Sequence, residues 1–250
     1  MTSTIKNSLV TLGSIFFLFL VWKILSLVIG AEIILPAPET TMRDLVNAVR
    51  SAAFWQSVEA TVYRGLAGFL VSCLAGAVTG FLAGFNSVVF WALQPFMTVI
   101  RTTPVMSFIL LALIWFRTEL VPIFVSFLIA FPIIFDNVVQ GIKNVDRQLV
   151  EMARLFRVKP WRILFELYIP SILPFLAAGT SSAMGLTWKV IIAAEILSQP
   201  TFGIGTQMQN ARIYLETARI LSWTVVIVFI SFVFESILAT VERKLKTWGE

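Results

Sequence analysis

Three ionisable side chains, Arg101, Lys189 and Glu195, stand inside stretches that are otherwise almost wholly apolar. Charge in hydrocarbon is costly, and it marks either a structural ion pair or a place where a charged solute passes. Lys189 and Glu195 lie six residues apart, about 240° around a straight helix, so they do not pair within one helix. Trp188 and Glu195, seven apart, share a face. Arg101, between Pro95 and Pro104, meets either an anion in a pathway or Glu195 of a neighbouring helix. Lys23 snorkels to the interface, and Asp136 and Glu235 lie near helix ends and receive no role.

Other chemistry is excluded by what the residues are. The chain has no histidine, which removes the usual proton shuttle near neutral pH and the commonest metal ligand. Gly179-Thr180-Ser181 has the Gly-x-Ser form of an intramembrane serine protease but lacks the histidine base, so Ser181 and Ser182 read as small packing residues. Neither a His-Glu-x-x-His zinc motif nor a Gly-x-x-x-x-Gly-Lys-Ser/Thr phosphate loop occurs. Cys73 has no cysteine partner in the chain and reads as a packing residue. No catalytic, cofactor or metal site is expected, and nucleotide chemistry must belong to another polypeptide.

A second constellation is charged rather than apolar. Residues 151–170, EMARLFRVKPWRILFELYIP, separate two of the most apolar stretches. Asp146 suits a helix start, and Leu149, Met152, Leu155 and Phe156 line one face of the helix that follows. Pro160 stops that helix and opens a second one, with Trp161, Leu164, Phe165 and Tyr168 as its stripe and Pro170 as its end. A short helix with one apolar face either rests on lipid or plugs into the groove of a soluble partner, and the pattern fits both.

The elements that must position these groups are membrane spans. The composition is 58% hydrophobic and 13% charged, and the mean hydropathy is +0.89. A crossing takes about 20 apolar residues, and the sequence predicts six of them, near 8–30, 64–85, 88–116, 121–140, 171–197 and 219–240. The third, with Pro95 and Pro104, is expected to be bent or broken. The fold class is therefore all-α, a polytopic membrane protein in one domain over 1–250. The start of the chain reads as a retained first helix, too long for a signal peptide.

In the second span Gly65, Gly68, Ser72, Gly76, Gly80 and Gly84 form a small-residue stripe, a seam for close helix packing within the chain or between subunits. Loop 31–60 carries a weakly amphipathic helix from Thr41 to Ala60, resting on the bilayer or receiving a partner. With the amino terminus inside, the cytoplasmic segments hold ten basic residues: Lys6, Lys143, Arg147, Arg154, Arg157, Lys159, Arg162, Arg243, Lys244 and Lys246. The other side holds four, Arg43, Arg50, Arg117 and Arg212. The positive-inside rule thus puts both termini and residues 141–170 in the cytoplasm. Topology accounts for the net charge of +5 without nucleic acid.

The charged stretch resembles the EAA loop of ABC importer permeases, with Glu151, Ala153 and Pro170 at the family spacing and Leu167 and Ile169 as conservative replacements. Met152 stands where the pattern has its first alanine, and Arg157 where it has a turn glycine. The resemblance runs from about 60 to 241. RTTPVMSFILLALIWF and GTSSAMGLTWKVIIAAEILSQPTFGIG are similar to the branch serving nitrate, sulfonate, taurine, bicarbonate and thiamine-precursor uptake. It implies a bacterial inner-membrane permease, a homodimer with a path along its interface, a cytoplasmic ATPase dimer that uses ATP, and an extracytoplasmic solute-binding protein. It also implies that Glu151, Met152, Ala153, Leu155, Phe156 and Arg157 couple to the ATPase. The third and fifth spans, with Arg101, Trp188, Lys189 and Glu195, would line the path, and Gly68, Gly76, Gly80 and Gly84 would serve packing. The competing expectation is an ion-coupled carrier working alone. Such carriers often contain inverted repeats, and no convincing internal repeat is seen.

Overall fold

A computed structural model describes residues 2–246, with side chains for 10, 11 and 13–240. The expectations for Lys6, Arg243, Lys244 and Lys246 fall outside the described side chains. Every regular element among the described residues is helical: α1 (Thr2–Ile29), α2 (Pro38–Val49), α3 (Ala52–Phe85), α4 (Ser87–Thr102), α5 (Val105–Trp115), α6 (Val121–Lys143), α7 (Arg147–Leu155), α8 (Pro160–Ile163), α9 (Ile169–Ser198), α10 (Ile204–Ile213) and α11 (Thr217–Lys246). Four helical runs among the described residues are long and apolar enough to cross a membrane, namely α3, α6, the α8–α9 run and α11, and α4 with α5 supplies a fifth as a broken pair. The described part of α1, Gly13–Ile29, is apolar but shorter.

Several boundaries move for local reasons. The expected helix over 41–60 is two pieces: α2 ends at Val49, and Ser51, with extended backbone, caps α3 by accepting the Phe54 N–H at 3.2 Å. The second span therefore starts at Ala52, not near 64. Asn86 ends α3 and caps α4, accepting from the Val88 N–H at 2.9 Å. Thr103 and Pro104 then turn α5 by 102° from α4. Lys143 of α6 sits over the Phe90 ring near the start of α4, while Glu119, just past α5, meets Arg64 and Thr201 at the opposite end. The pair thus runs from one end of the bundle to the other as a broken span.

Pro170 does not end the second piece, contrary to the expectation. A proline inside a helix lacks its N–H and clashes with the carbonyl four residues back. Here the turn before it widens to a π-helix over Leu164–Tyr168, and the Ile169 N–H reaches the Leu164 carbonyl. That wide turn carries α8 into α9 without a break.

The centre is α6, packed between α3 and α9. Val125, Ala130, Ile134 and Phe135 of α6 are fully buried. Close approach to α3 depends on glycine. A Cβ at Gly68 would lie 2.8 Å from the Ile123 carbonyl, and one at Gly80 would lie 2.8 Å from the Phe135 carbonyl. At Gly76 and Gly84 the added carbon would meet Ile134 at 2.9 Å and Ile142 at 2.3 Å. Gly65 faces elsewhere: a Cβ there would lie 2.7 Å from the Trp188 ring of α9. The stripe therefore serves two partners.

Candidate functional site

At the end of the bundle where α6 stops, Asp146 caps α7 by accepting the Gln148 N–H at 2.8 Å. Val150 is buried against the rest of the chain, with Val145 and Ile142 below it. The opposite face is turned out: Leu149 and Met152 are exposed, and Leu155 and Phe156 are exposed by 83% and 78%. Glu151 and Arg157 are also exposed, and Ala153 is half-buried. The helix closes through two hydrogen bonds, Val158 N–H to the Ala153 carbonyl and Arg157 N–H to the Arg154 carbonyl, both 2.9 Å. That closure needs a left-handed residue after the cap. Arg157 supplies it at φ +51°. The arginine thus adopts the backbone that a glycine would take without strain.

The opposite end holds a buried polar cluster. Glu195 is fully buried. Its carboxylate accepts from Thr61 Oγ1 at 2.9 Å, Arg64 Nη1 at 2.8 Å and the Gly205 N–H at 2.9 Å. Arg64, itself 5% exposed, also donates to the Phe202 carbonyl at 2.7 Å and pairs through Nη2 with Glu119. Glu119 in turn accepts the Thr201 N–H at 2.8 Å. Partial burial pushes the Glu119 carboxyl up, but the Thr201 N–H and the Arg64 guanidinium outweigh it and hold it below the ordinary glutamate range. Gly203 and Gly205 exist to let the loop close on this group, since a Cβ at either would lie 2.7 or 2.6 Å from Glu195. α3, α9 and the loops at 116–120 and 199–203 are thereby tied together.

The structure does not bring the predicted membrane charges together. Arg101 pairs with Asp136 of α6, not with Glu195. Glu195 takes Arg64 of α3 instead. A signal for the match existed: Arg64 stands at the start of the apolar run expected over 64–85 and Glu195 near the end of the one over 171–197, so alternating crossings put both towards one membrane face. Trp188 is 1% exposed, packed on Gly65 and tilted against Phe234, so Glu195 reaches no surface and Trp188 shows only an edge to the groove beside Lys189. Lys23 does not merely snorkel but pairs with Glu39 of α2 at 2.9 Å, and that hydrogen bond holds the Glu39 carboxyl below its usual range.

A family model described as the binding-protein-dependent transport system inner membrane component matches residues 73–247. The chain belongs to that family. The matched segment takes in α6, α7, the π-turn and the Glu195 end of α9, but starts after Arg64. This permease is similar to an aliphatic sulfonates transport permease protein of Bacillus subtilis, 26% identical over 230 residues, covering 91% of this chain and 83% of that one. It is also similar to the taurine transport system permease protein of Escherichia coli, 25% identical over 233 residues, with 91% and 84% covered. Among solved structures, the inward-facing MetNI methionine ABC transporter matches at a TM-score of 0.60 and 14% identity, over 76% of this chain and 93% of that one. That likeness carries the fold.

Lys189 of the permease is exposed on α9. It opens on a groove of about 530 Å³ between α9 and α11, with Trp188 and Ile192 on one wall and Ser231 and Glu235 on the other. Among the described residues no carboxylate lies within 4 Å of it. Arg101 is half-exposed. Lys189 is therefore available at a helix surface, whereas Arg101 is already engaged by Asp136. The permease is a multi-pass inner-membrane transport subunit, and ATP hydrolysis belongs to a partner ATPase.

Proposed function

We propose that this chain is the transmembrane permease subunit of an ATP-driven importer of small organic anions of the sulfonate type, driven through α7. The observation that carries the reading is the outward apolar face of Leu149, Met152, Leu155 and Phe156 on a helix whose other face is fixed by Val150. Burying a leucine or phenylalanine side chain is worth about 1.5–3 kcal/mol, so a groove in a cytoplasmic ATPase gains from closing over this helix. Glu151, Met152, Ala153, Leu155, Phe156 and Arg157 form the coupling surface. Both termini and α7 face the cytoplasm, and a solute-binding protein docks at the Glu195 end.

Two copies of the chain enclose the path, with Lys189 offering positive charge to the solute, the half-exposed Arg101–Asp136 pair beside the path, and Trp188 and Glu195 setting the position of the wall. ATP moves such a machine only through contacts that differ between its states, and α7, joined to α6 by a three-residue link and to α9 through the α8 turn, is a lever for that. The relatives named for sulfonates and taurine support the solute class.

The test is a pull-down of tagged full-length chain from mild detergent, with Leu155→Glu plus Phe156→Glu as comparison, followed by mass spectrometry. An ATPase and a binding protein recovered with the native chain, the ATPase alone being lost from the variant, is the expected result. Recovery of no ATPase with the native chain would sink the importer reading in favour of a carrier working alone.

A further inference from the structure

Behind α7, on the side away from its exposed apolar face, lie two adjoining cavities. The first, about 400 Å³, is lined by Lys143, Arg147, Arg154 and Glu151, with Gly84 and Phe85 at the end of α3 as its floor. The second, also about 400 Å³, is lined by Val158, Pro160, Ile163 and Leu164. Phe85, Arg154 and Tyr168 belong to both, so the two share a wall. One is basic and the other almost wholly apolar.

None of Lys143, Arg147 or Arg154 has a carboxylate within 4 Å among the described residues. Lys143, one of the lining residues, has its ammonium group over the Phe90 ring, 3.8 Å from the centroid. Three cations against Glu151 leave the basic cavity with a net charge of +2, counted as three minus one. The apolar cavity sits where α8 enters the membrane run, near the exposed Trp161, a side chain of the kind found at the headgroup level of a bilayer.

We infer that this pair of cavities is a binding site for an anionic phospholipid of the cytoplasmic leaflet, its phosphate between Arg147 and Arg154 and the upper part of an acyl chain along Ile163 and Leu164. A guanidinium pair matches phosphate oxygens in charge and geometry, and basic pockets between membrane helices on the cytoplasmic side bind acidic head groups. A free anion would use the first cavity alone. The second cavity, continuous with it through Arg154 and Tyr168, favours an amphiphile. The lipid would wedge between α7, the end of α3 and the π-turn, and so set the seat of α7. This rests on the cytoplasmic orientation of α7 proposed above, but its readout is bound lipid rather than ATPase recovery, so the two fail separately.

The full-length chain in mild detergent is equilibrated with equimolar phosphatidylglycerol and phosphatidylcholine, repurified, and its retained lipid counted by mass spectrometry. With each net charge near the surface contributing several-fold, phosphatidylglycerol is expected to be retained about thirtyfold over phosphatidylcholine. Arg147→Gln with Arg154→Gln brings the preference close to unity, because the net charge falls to zero. Glu151→Gln raises it about fivefold further, a gain that a misfolded protein would not give. An unchanged preference in the double arginine variant overturns the site. So does loss of the ATPase from that variant with lipid retention intact, which would make the basic face a protein contact. Binding of inorganic phosphate, strong enough to displace phosphatidylglycerol when added alone in excess, would make the pocket a free-anion site and overturn the lipid assignment.

Discussion

At one end of the bundle Arg64 and Glu195 are packed inside the chain, whereas at the other Leu155 and Phe156 stand outside it. The buried charges have their partners within the chain: Thr61, Arg64, the Gly205 N–H, the Phe202 carbonyl and Glu119 close the network with no further ligand. The exposed apolar pair has none. Leaving a buried carboxylate unmatched costs far more than leaving a leucine in water. The first region therefore belongs to the stability of this chain, and the second belongs to an assembly.

The comparison breaks most sharply at Arg64. Arg64→Met leaves the Glu195 carboxylate buried without its cation and is expected to cost about 3–5 kcal/mol in thermal unfolding in detergent. Adding Glu195→Gln should recover much of that loss, since a neutral amide tolerates the site. No recovery would mean that the arginine acts through Glu119 and Phe202 rather than Glu195. The next largest effect concerns the seam with α6. Gly80→Ala puts a carbon 2.8 Å from a backbone oxygen that cannot swing away, which costs about 1–3 kcal/mol. Gly13→Ala, with nothing within 4 Å of the new carbon, should instead gain up to about 1 kcal/mol of helix propensity.

These two ends were not equally legible. α7 follows from Asp146, the apolar spacing of Leu149, Met152, Leu155 and Phe156, and Pro160, all local signals. The break in the third span follows from Pro95 and Pro104, although its 102° bend does not. The Glu195 cluster depends on residues 131 and 134 positions away. Periodicity within one helix says nothing about which neighbour supplies the counter-charge, and Arg101 was the nearer candidate in apolar surroundings. The glycine stripe was legible as a stripe, but not its split between α6 and Trp188. Pro170 misled because the rule against interior prolines assumes an α-helical turn, and the chain uses a π-turn there.

Smaller effects sharpen the contrast. Arg157 holds a left-handed backbone that disfavours side chains, so Arg157→Gly should relieve about 1 kcal/mol at the α7 end and slow amide exchange at Val158. A loss of stability would mean that the arginine head makes a contact worth more than the strain. Smaller still is the pH response of Glu119, which is 45% exposed and therefore screened. Its carboxyl is held below the ordinary glutamate value, so its contribution is present above that value and disappears as pH falls through the lower folded one. The Thr201 amide should stay protected to about pH 5 and open only in stronger acid. Glu119→Gln should remove that acid step.

The least effect on stability is expected where the effect on assembly is greatest. Leu155→Gln with Phe156→Gln takes two large apolar side chains off a surface that they do not share with the rest of the chain. Exposed substitutions change stability within about 0.5 kcal/mol when no core or capping bond is lost. Glutamine keeps the helical propensity at Leu155, and Phe156 caps α7 through its backbone N–H, which the change leaves in place. The melting temperature should therefore match that of the native chain, while ATPase recovery falls by the equivalent of two lost apolar anchors. An equal fall in melting temperature would show that Leu155 and Phe156 pack against their own chain in the resting protein. The exposed end would then be as self-sufficient as the buried one, and the distinction between them would fail.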